Sequence, residues 1–287
     1  VGQIAKILGC TVVGVAGTIL TICAGVLDLP SYDATRTDQA VIPVAGFGTR
    51  LYPATKATKK ELFPIVDRDG VAKPVIQLIV EEALSAGIEE VCLIVQPEDQ
   101  EMFDEFFNVQ ISVQNFNKLP TTLKHYSEYL QDMGRRIHFA VQDKQDGFGH
   151  AVYCAREWVG DEPFLLLLGD HLYRSSIGDS CARQLLDIYE KHQVSAVGLM
   201  QTPEEQIGQF GTVGGEWLAD DSVLNITEFA EKPTADYART KLRVENGSVV
   251  QWTKYARQFL LYAHIRKMKR TVRNDSRCVP SKKKPSA

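Results

Sequence analysis

The sequence predicts an α/β fold, a mostly parallel, Rossmann-like sheet flanked by helices. Three observations carry that expectation. First, short apolar runs of strand length (residues 40–45, 91–95, 137–141, 164–168 and 194–200) alternate with stretches of helical periodicity. Near-continuous apolar runs mark strands buried on both faces. Their alternation with helices implies parallel strands joined by right-handed crossovers. Second, the first run breaks into a glycine-rich turn, Gly46-Phe47-Gly48-Thr49-Arg50, followed by Lys56, Lys59 and Lys60. Third, Gly46, Gln142 and Asp170 each fall at or just after the end of a run. In open α/β sheets ligands sit at the carboxyl ends of strands.

Taken in order, residues 1–39 form an extension of different character. Residues 7–27 carry no charge and are long enough to cross a bilayer, yet four glycines and several threonines make a poor spanning helix. A signal peptide is a second reading, without a basic region beyond Lys6 or a clear cleavage site. The run at 40–45 is the first core strand. Pro74 opens a helix with Ile76, Ile79, Val80, Ala83 and Leu84 on one face, ended by Gly87. Residues 91–95 form the next strand, and 97–107 a helix opened by proline and acids. Strands at 137–141 and 164–168, a helix at 180–192 and a strand at 194–200 follow. From about Asn246 the composition shifts. Between Trp252 and Ala287, eleven Lys and Arg stand against one acid, Asp275. Trp252, Tyr255, Phe259 and Tyr262 have helical spacing, which suits a basic amphipathic helix for an anionic membrane or a nucleic acid. A solvated tail is the alternative. The expected organisation is an extension at 1–39, a core domain at 40–245 and a basic tail at 246–287.

Composition narrows the functional classes. At 287 residues, 44% apolar and 24% charged, this is an ordinary globular chain. A net charge of −4 argues against nucleic acid as the partner of the whole molecule. The six cysteines are scattered, with no CxxC and no Cys/His cluster, so neither a disulfide framework nor a zinc site is expected and a reducing cytoplasm fits. GxSxG and HExxH are absent. The turn at Gly46 is neither a Walker A loop nor GxGxxG, although its glycines let backbone N–H groups approach an anion and its cations suit phosphate oxygens.

The longer string AGFGTRLYPATKATKKELFPIVDRDGVAKPVIQ (45–77) resembles the signature of the sugar-nucleotide pyrophosphorylases, in detail the bacterial UTP–glucose-1-phosphate uridylyltransferases. The resemblance continues through Val141-Gln142, Gly147-Phe148-Gly149-His150-Ala151, Leu168-Gly169-Asp170, Phe210-Gly211-Thr212-Val213 and Phe229-Ala230-Glu231-Lys232-Pro233. It implies a nucleotide-diphospho-sugar transferase fold and Mg²⁺-dependent formation of UDP-glucose and pyrophosphate from UTP and glucose 1-phosphate. It further implies nucleotide contacts at Ala45, Gly46, Gly48, Thr49, Glu61, Gln142, Gly147 and Gly149. Catalytic cations fall at Arg50, Lys60 and Lys232, sugar contacts at Gly211 and Glu231, and the Mg²⁺ ligand at Asp170. Where the family's uridylyltransferases often read Pro-Asp, this chain reads Gly-Asp-His.

The resemblance ends near residue 245. The family continues with further strands and helices, including a late aspartate that helps hold the metal. The expectation is therefore a catalytic core that binds UTP and turns over slowly, with a nucleotide-binding core of little or no activity as the alternative. The stretch VGQIAKILGCTVVGVAG at the start resembles the helix and following strand of medium-chain NADPH-dependent reductases, without the glycine-rich turn that should precede them. A fused fragment, a membrane or targeting segment and a native extension remain open for it. A membrane contact through 7–27 or the tail, and a homo-oligomer, stay open as well.

Overall fold

The computed structural model describes residues 12–17, 20–25, 37–160, 162–192, 195–199, 204–209, 211–218, 223–242, 244–245 and 260–263. The strands are β1 (Val12–Gly17), β2 (Leu20–Gly25), β3 (Gln39–Pro43), β4 (Pro64–Val66), β5 (Ala72–Pro74), β6 (Glu90–Val95), β7 (Ile137–Val141), β8 (Phe164–Leu167), β9 (Ser195–Leu199), β10 (Gly211–Trp217), β11 (Leu224–Glu231), β12 (Val244–Glu245) and β13 (Leu260–Ala263). The helices are α1 (Ala54–Ala57), α2 (Val75–Ser85), α3 (Gln100–Asn108), α4 (Val113–Lys118), α5 (Thr121–Gly134), α6 (Phe148–Cys154), α7 (Arg156–Val159), α8 (Cys181–His192) and α9 (Ala235–Lys241).

Eleven of the strands make one sheet in the order β12-β10-β11-β1-β2-β9-β13-β8-β3-β6-β7. The central block β8-β3-β6-β7 is parallel throughout, as the alternating pattern requires. Its strands are near-continuous apolar runs: Val41, Ile42, Val91, Leu93, Phe164 and Leu165 are each fully buried. Alternate side chains serve opposite faces. Ile42, Leu93, Leu165 and Leu167 join one core with Ile76, Ile79, Phe103, Phe107 and Leu185 from α2, α3 and α8. Val41, Ile94, Phe164 and Leu166 join a second with Val152 and Val159 from α6 and α7. Each such side chain contributes about 1.5–3 kcal/mol of transfer free energy, so the two layers fix which face each strand turns to which helices.

Local chemistry sets the helix ends. Gly87, at φ 94°, closes α2, where a side chain would be strained. The Ser112 hydroxyl caps α4 by accepting from the Asn115 N–H at 3.3 Å. Glu82 on α2 accepts from the Ala182 N–H at 2.7 Å, which ties α2 to the start of α8.

Beyond the parallel block the ladder turns largely antiparallel through β13, β9, β2, β1, β11 and β10. The apolar patterning did not separate these strands from parallel ones. The β1–β2 hairpin sits inside the sheet, with Thr21 opposite Leu199 and Val12 opposite Ile226. The ladder therefore crosses residue 39, where the sequence suggested a boundary. Tyr262, expected on an amphipathic helix, lies in β13 opposite Leu165. Its neighbours form a short apolar run, LLYA, and strand pairing outweighs the helical spacing there. Trp252, Tyr255 and Phe259 lie outside the described residues. Among the described residues, no helix is long and apolar enough to cross a membrane.

Candidate functional site

A cleft of about 540 Å³ opens at the carboxyl ends of β3, β7 and β8 and at the start of β10. It brings together Ala45, Gly46, Lys60, Gln142, Gly147, Asp170 and Gly211, which are 166 residues apart in sequence at the extremes (211 minus 45). Gln145, Phe148, Ala151 and His171, which the sequence did not single out as site residues, line it too.

The chain leaves β3 through Val44, whose N–H donates to the Ile94 carbonyl at 2.8 Å. The Ala45 carbonyl accepts from the side-chain amides of Gln145, at 3.0 Å, and Gln96. Two amides from separate loops thus hold the first residue of the glycine loop. The loop then tightens at Gly48, in the left-handed region at φ 74°. A β-carbon there would meet Thr55 Cγ2 at 2.9 Å and Lys60 Cδ at 3.2 Å. Gly48 is needed on both counts, conformation and space. The Lys60 side chain runs beside Gly46, whose absent β-carbon would lie 3.8 Å from Lys60 Nζ.

Lys60 Nζ donates to Asp170 Oδ2 at 2.7 Å. Gly169 makes this approach feasible: a β-carbon on it would lie 2.6 Å from Val44 Cγ1 and 2.8 Å from the Pro43 carbonyl oxygen. Burial pushes the Asp170 pKa up, but the hydrogen bond and charge of Lys60, with the charge of His171, outweigh it and hold the carboxyl below its usual range. Its second oxygen, Oδ1, has His171 Nε2 at 3.8 Å. Behind Lys60 sits Glu61, fully buried, with neither carboxylate oxygen in a hydrogen bond. Lys60 Nζ is 3.4 Å from Glu61 Oε1, close enough for an ion pair but not aligned for a hydrogen bond. Burial dominates and raises the Glu61 pKa from 4.5 to about 7, against the charge of Lys60, the approach of the Glu61 backbone N–H and of Lys60 Nζ, and the charge of Lys59. Lys59, one of the cations that follow the glycine turn, is paired with Asp99, and both side chains are largely buried.

Gln142, immediately after β7, is 4% exposed. Its Nε2 approaches the Gly147 carbonyl oxygen at 3.3 Å and His150 Nδ1 at 3.1 Å. Gly147 takes φ 88° as it turns into α6. Gly211 starts β10 and pairs with Glu231 across the ladder, which sets Glu231 and Lys232 at the same end of the sheet as the cleft. Lys232 is exposed with φ 48°. The remaining expected residues lie off the cleft wall. Thr49 and Arg50 are exposed on a 3₁₀ turn, Gly48 and Glu61 support the loop from behind, and Gly149 lies within α6. Signals for the missed residues were present. Gln145 lies between Gln142 and Gly147, and His171 follows Asp170, but a side chain's reach across loops is not encoded in spacing.

The cleft thus brings a glycine loop, a lysine paired with a carboxylate and a buried side-chain amide into one space. The family profile for nucleotidyl transferases matches residues 39–271, past residue 245 where the recognisable motifs stop. The chain is 37% identical over 207 residues to the UTP–glucose-1-phosphate uridylyltransferase of Bacillus subtilis (strain 168), covering 72% of this chain and 68% of that one. It is 36% identical over 215 residues to the enzyme of the same name from Streptococcus pneumoniae serotype 4, covering 73% and 69%. The crystal structure of a UDP-glucose pyrophosphorylase complexed with UDP-glucose matches at TM-score 0.62 and 26% identity, over 80% of this chain and 76% of that one. With its parallel central sheet, its loop after β3 and a profile match over most of its length, the chain belongs to the nucleotidyl transferase family of enzymes.

Proposed function

We propose that this chain forms UDP-glucose and pyrophosphate from UTP and glucose 1-phosphate. The observation that carries the reading is the 2.7 Å Lys60–Asp170 pair in a cleft walled by Gln142 and Gly211. It joins a phosphate-binding cation, a cation-binding carboxylate, a base-reading amide and a sugar-side glycine in one space. The names of the relatives support the choice of UTP and glucose 1-phosphate.

In the reaction an oxygen of the sugar phosphate attacks the α-phosphorus of UTP, and the bond from that phosphorus to the bridging oxygen of pyrophosphate breaks. No covalent enzyme intermediate is required, so catalysis consists of alignment and charge neutralisation. The Ala45 and Gly46 backbone and the loop through Gly48 and Thr49 hold the nucleotide, and Glu61 backs Lys60. Lys60, Arg50 and Lys232 neutralise phosphate charge, Gln142 with Gly147 and Gly149 reads uracil, and Gly211 and Glu231 hold the sugar. Asp170 fits Mg²⁺: its carboxylate lines the cleft and is 44% exposed. Asp170 would hold the ion, which when bound neutralises phosphate oxygens.

One observation favours a second reading, a nucleotide-binding core with little turnover: Lys60 Nζ takes up Asp170 Oδ2 at 2.7 Å, where a cation would bind. Pyrophosphate release from UTP and glucose 1-phosphate with Mg²⁺ separates the two. Release supports the transferase, UTP binding without release supports the binding core, and neither overturns both. The cytoplasm suits substrates of this kind.

A further inference from the structure

Gln142 and His150 are the two buried polar residues on the base side of the cleft, 4% and 8% exposed. His150 stands in the first turn of α6 with Nδ1 3.1 Å from Gln142 Nε2 and 3.1 Å from the Lys144 carbonyl oxygen. Its Nε2 lies 4.0 Å from Cys154 Sγ, one turn further along the helix. Gln142 Nε2 also faces the Gly147 carbonyl oxygen at 3.3 Å.

We propose that His150 is a positioning residue for base choice, which pins the side-chain amide of Gln142 in one orientation so that the cleft accepts uracil and rejects cytosine. The inference rests on the reading of Gln142 as the base-recognising residue. With its two N–H groups turned to the Gly147 carbonyl and to His150 Nδ1, the pinned amide shows the base its Oε1 alone, which accepts from uracil N3–H and meets the lone pair of cytosine N3. Uracil offers an acceptor at O4 beside a donor at N3–H. Cytosine offers the reverse, a donor at N4–H beside an acceptor at N3. A glutamine free to rotate its amide by half a turn matches both bases equally, so the residue type alone gives no discrimination. The half-turn would set Oε1 against the Gly147 carbonyl oxygen, acceptor against acceptor. It would also remove the donor that His150 Nδ1 accepts. A buried polar group left facing a like group loses its hydrogen bond with no water to replace it. The ring can hold the amide because α6 fixes its backbone. It accepts from Gln142 in the tautomer whose proton sits on Nε2, toward Cys154 Sγ, at the cost of setting the Nδ1 lone pair beside the Lys144 carbonyl oxygen. The other tautomer donates from Nδ1 to the Lys144 carbonyl and withdraws that acceptor, so the ring's proton and the amide's orientation are coupled.

Calorimetric titration of the full chain with UTP and with CTP, for the unmodified protein and for H150F, H150N, Q142A and H150F/Q142A, tests this. The ratio of the CTP to the UTP dissociation constant is expected to fall about tenfold in H150F, the discrimination one oriented base contact supplies. H150N, whose side-chain oxygen can accept from Gln142, is expected to keep a higher ratio than H150F. The double variant is expected to match Q142A alone. A ratio unchanged in H150F while Q142A lowers it overturns the role of His150, as does additivity of the two substitutions. A ratio unchanged in Q142A overturns the reading of Gln142 itself, a separate outcome. If H150F does not fold, H150N and the ¹⁵N spectrum of the histidine ring decide: an unprotonated Nδ1 supports the proposal and a protonated one overturns it.

Discussion

Replacing Glu61 by Gln should stabilise the protein, and by more the higher the pH. Glu61 is fully buried, neither of its carboxylate oxygens is hydrogen-bonded, and burial lifts its pKa from 4.5 to about 7. Because the folded-state pKa lies above the unfolded one, the folded chain keeps the proton between these values while the unfolded chain has lost it. Stability from this group is therefore full below 4.5 and falls as the pH rises toward 7. A shift of this size corresponds to roughly 3 kcal/mol at about pH 8 and to a few tenths at about pH 4. Gln has nearly the same shape and never ionises, so E61Q removes the pH dependence of this site. Urea unfolding of both proteins at constant ionic strength from about pH 4 to about pH 8 measures it. The two stabilities should nearly coincide at the acid end and diverge by roughly 3 kcal/mol at the basic end. Parallel curves would refute the reasoning and mean that Lys60 and Lys59 hold Glu61 ionised despite its burial.

Gly48→Ala places a β-carbon at φ 74° and 2.9 Å from Thr55 Cγ2, so chemical unfolding should show a loss of about 1–3 kcal/mol, together with weaker UTP binding. Lys73 is buried against Asp67 at 2.7 Å, Asp69 at 3.0 Å and Glu81 at 3.2 Å; K73M leaves these carboxylates without that cation and should cost about 1–3 kcal/mol in the same assay, less than for a fully buried pair because the carboxylates reach solvent. Asp170→Asn keeps the size and removes the charge, so calorimetry should find UTP binding no longer responsive to Mg²⁺; a surviving response would remove Asp170 from the site. Deleting residues 1–38 takes two strands from between β9 and β11, and the thermal midpoint should drop; an unchanged midpoint would show that the sheet closes without them.

The sequence by itself determined the parallel block and the glycine loop at its edge. Both are local in origin. Strands buried on two faces must be apolar along their length, so 40–45, 91–95, 137–141 and 164–168 announce themselves as runs. A loop bringing backbone close to phosphate needs glycine, and Gly46 and Gly48 stand at such a turn. Side-chain chemistry at strand ends likewise marked Gln142 and Asp170, and the cleft contains both. Only the tertiary structure decided the rest. That Lys60 meets Asp170 rather than solvent depends on the chain folding back across a separation of 110 residues and on Gly169 leaving room against Val44. That Lys59 is paired and Glu61 is buried follows from packing around a short 3₁₀ turn, which the charge pattern alone does not reveal. β1, β2 and β13 pair inside the sheet with strands remote in sequence, and a ladder partner remote in sequence leaves no periodic trace. Pattern reports which face of an element is apolar; which element covers that face, and which charges it brings along, is set by contacts between segments that sequence spacing does not relate.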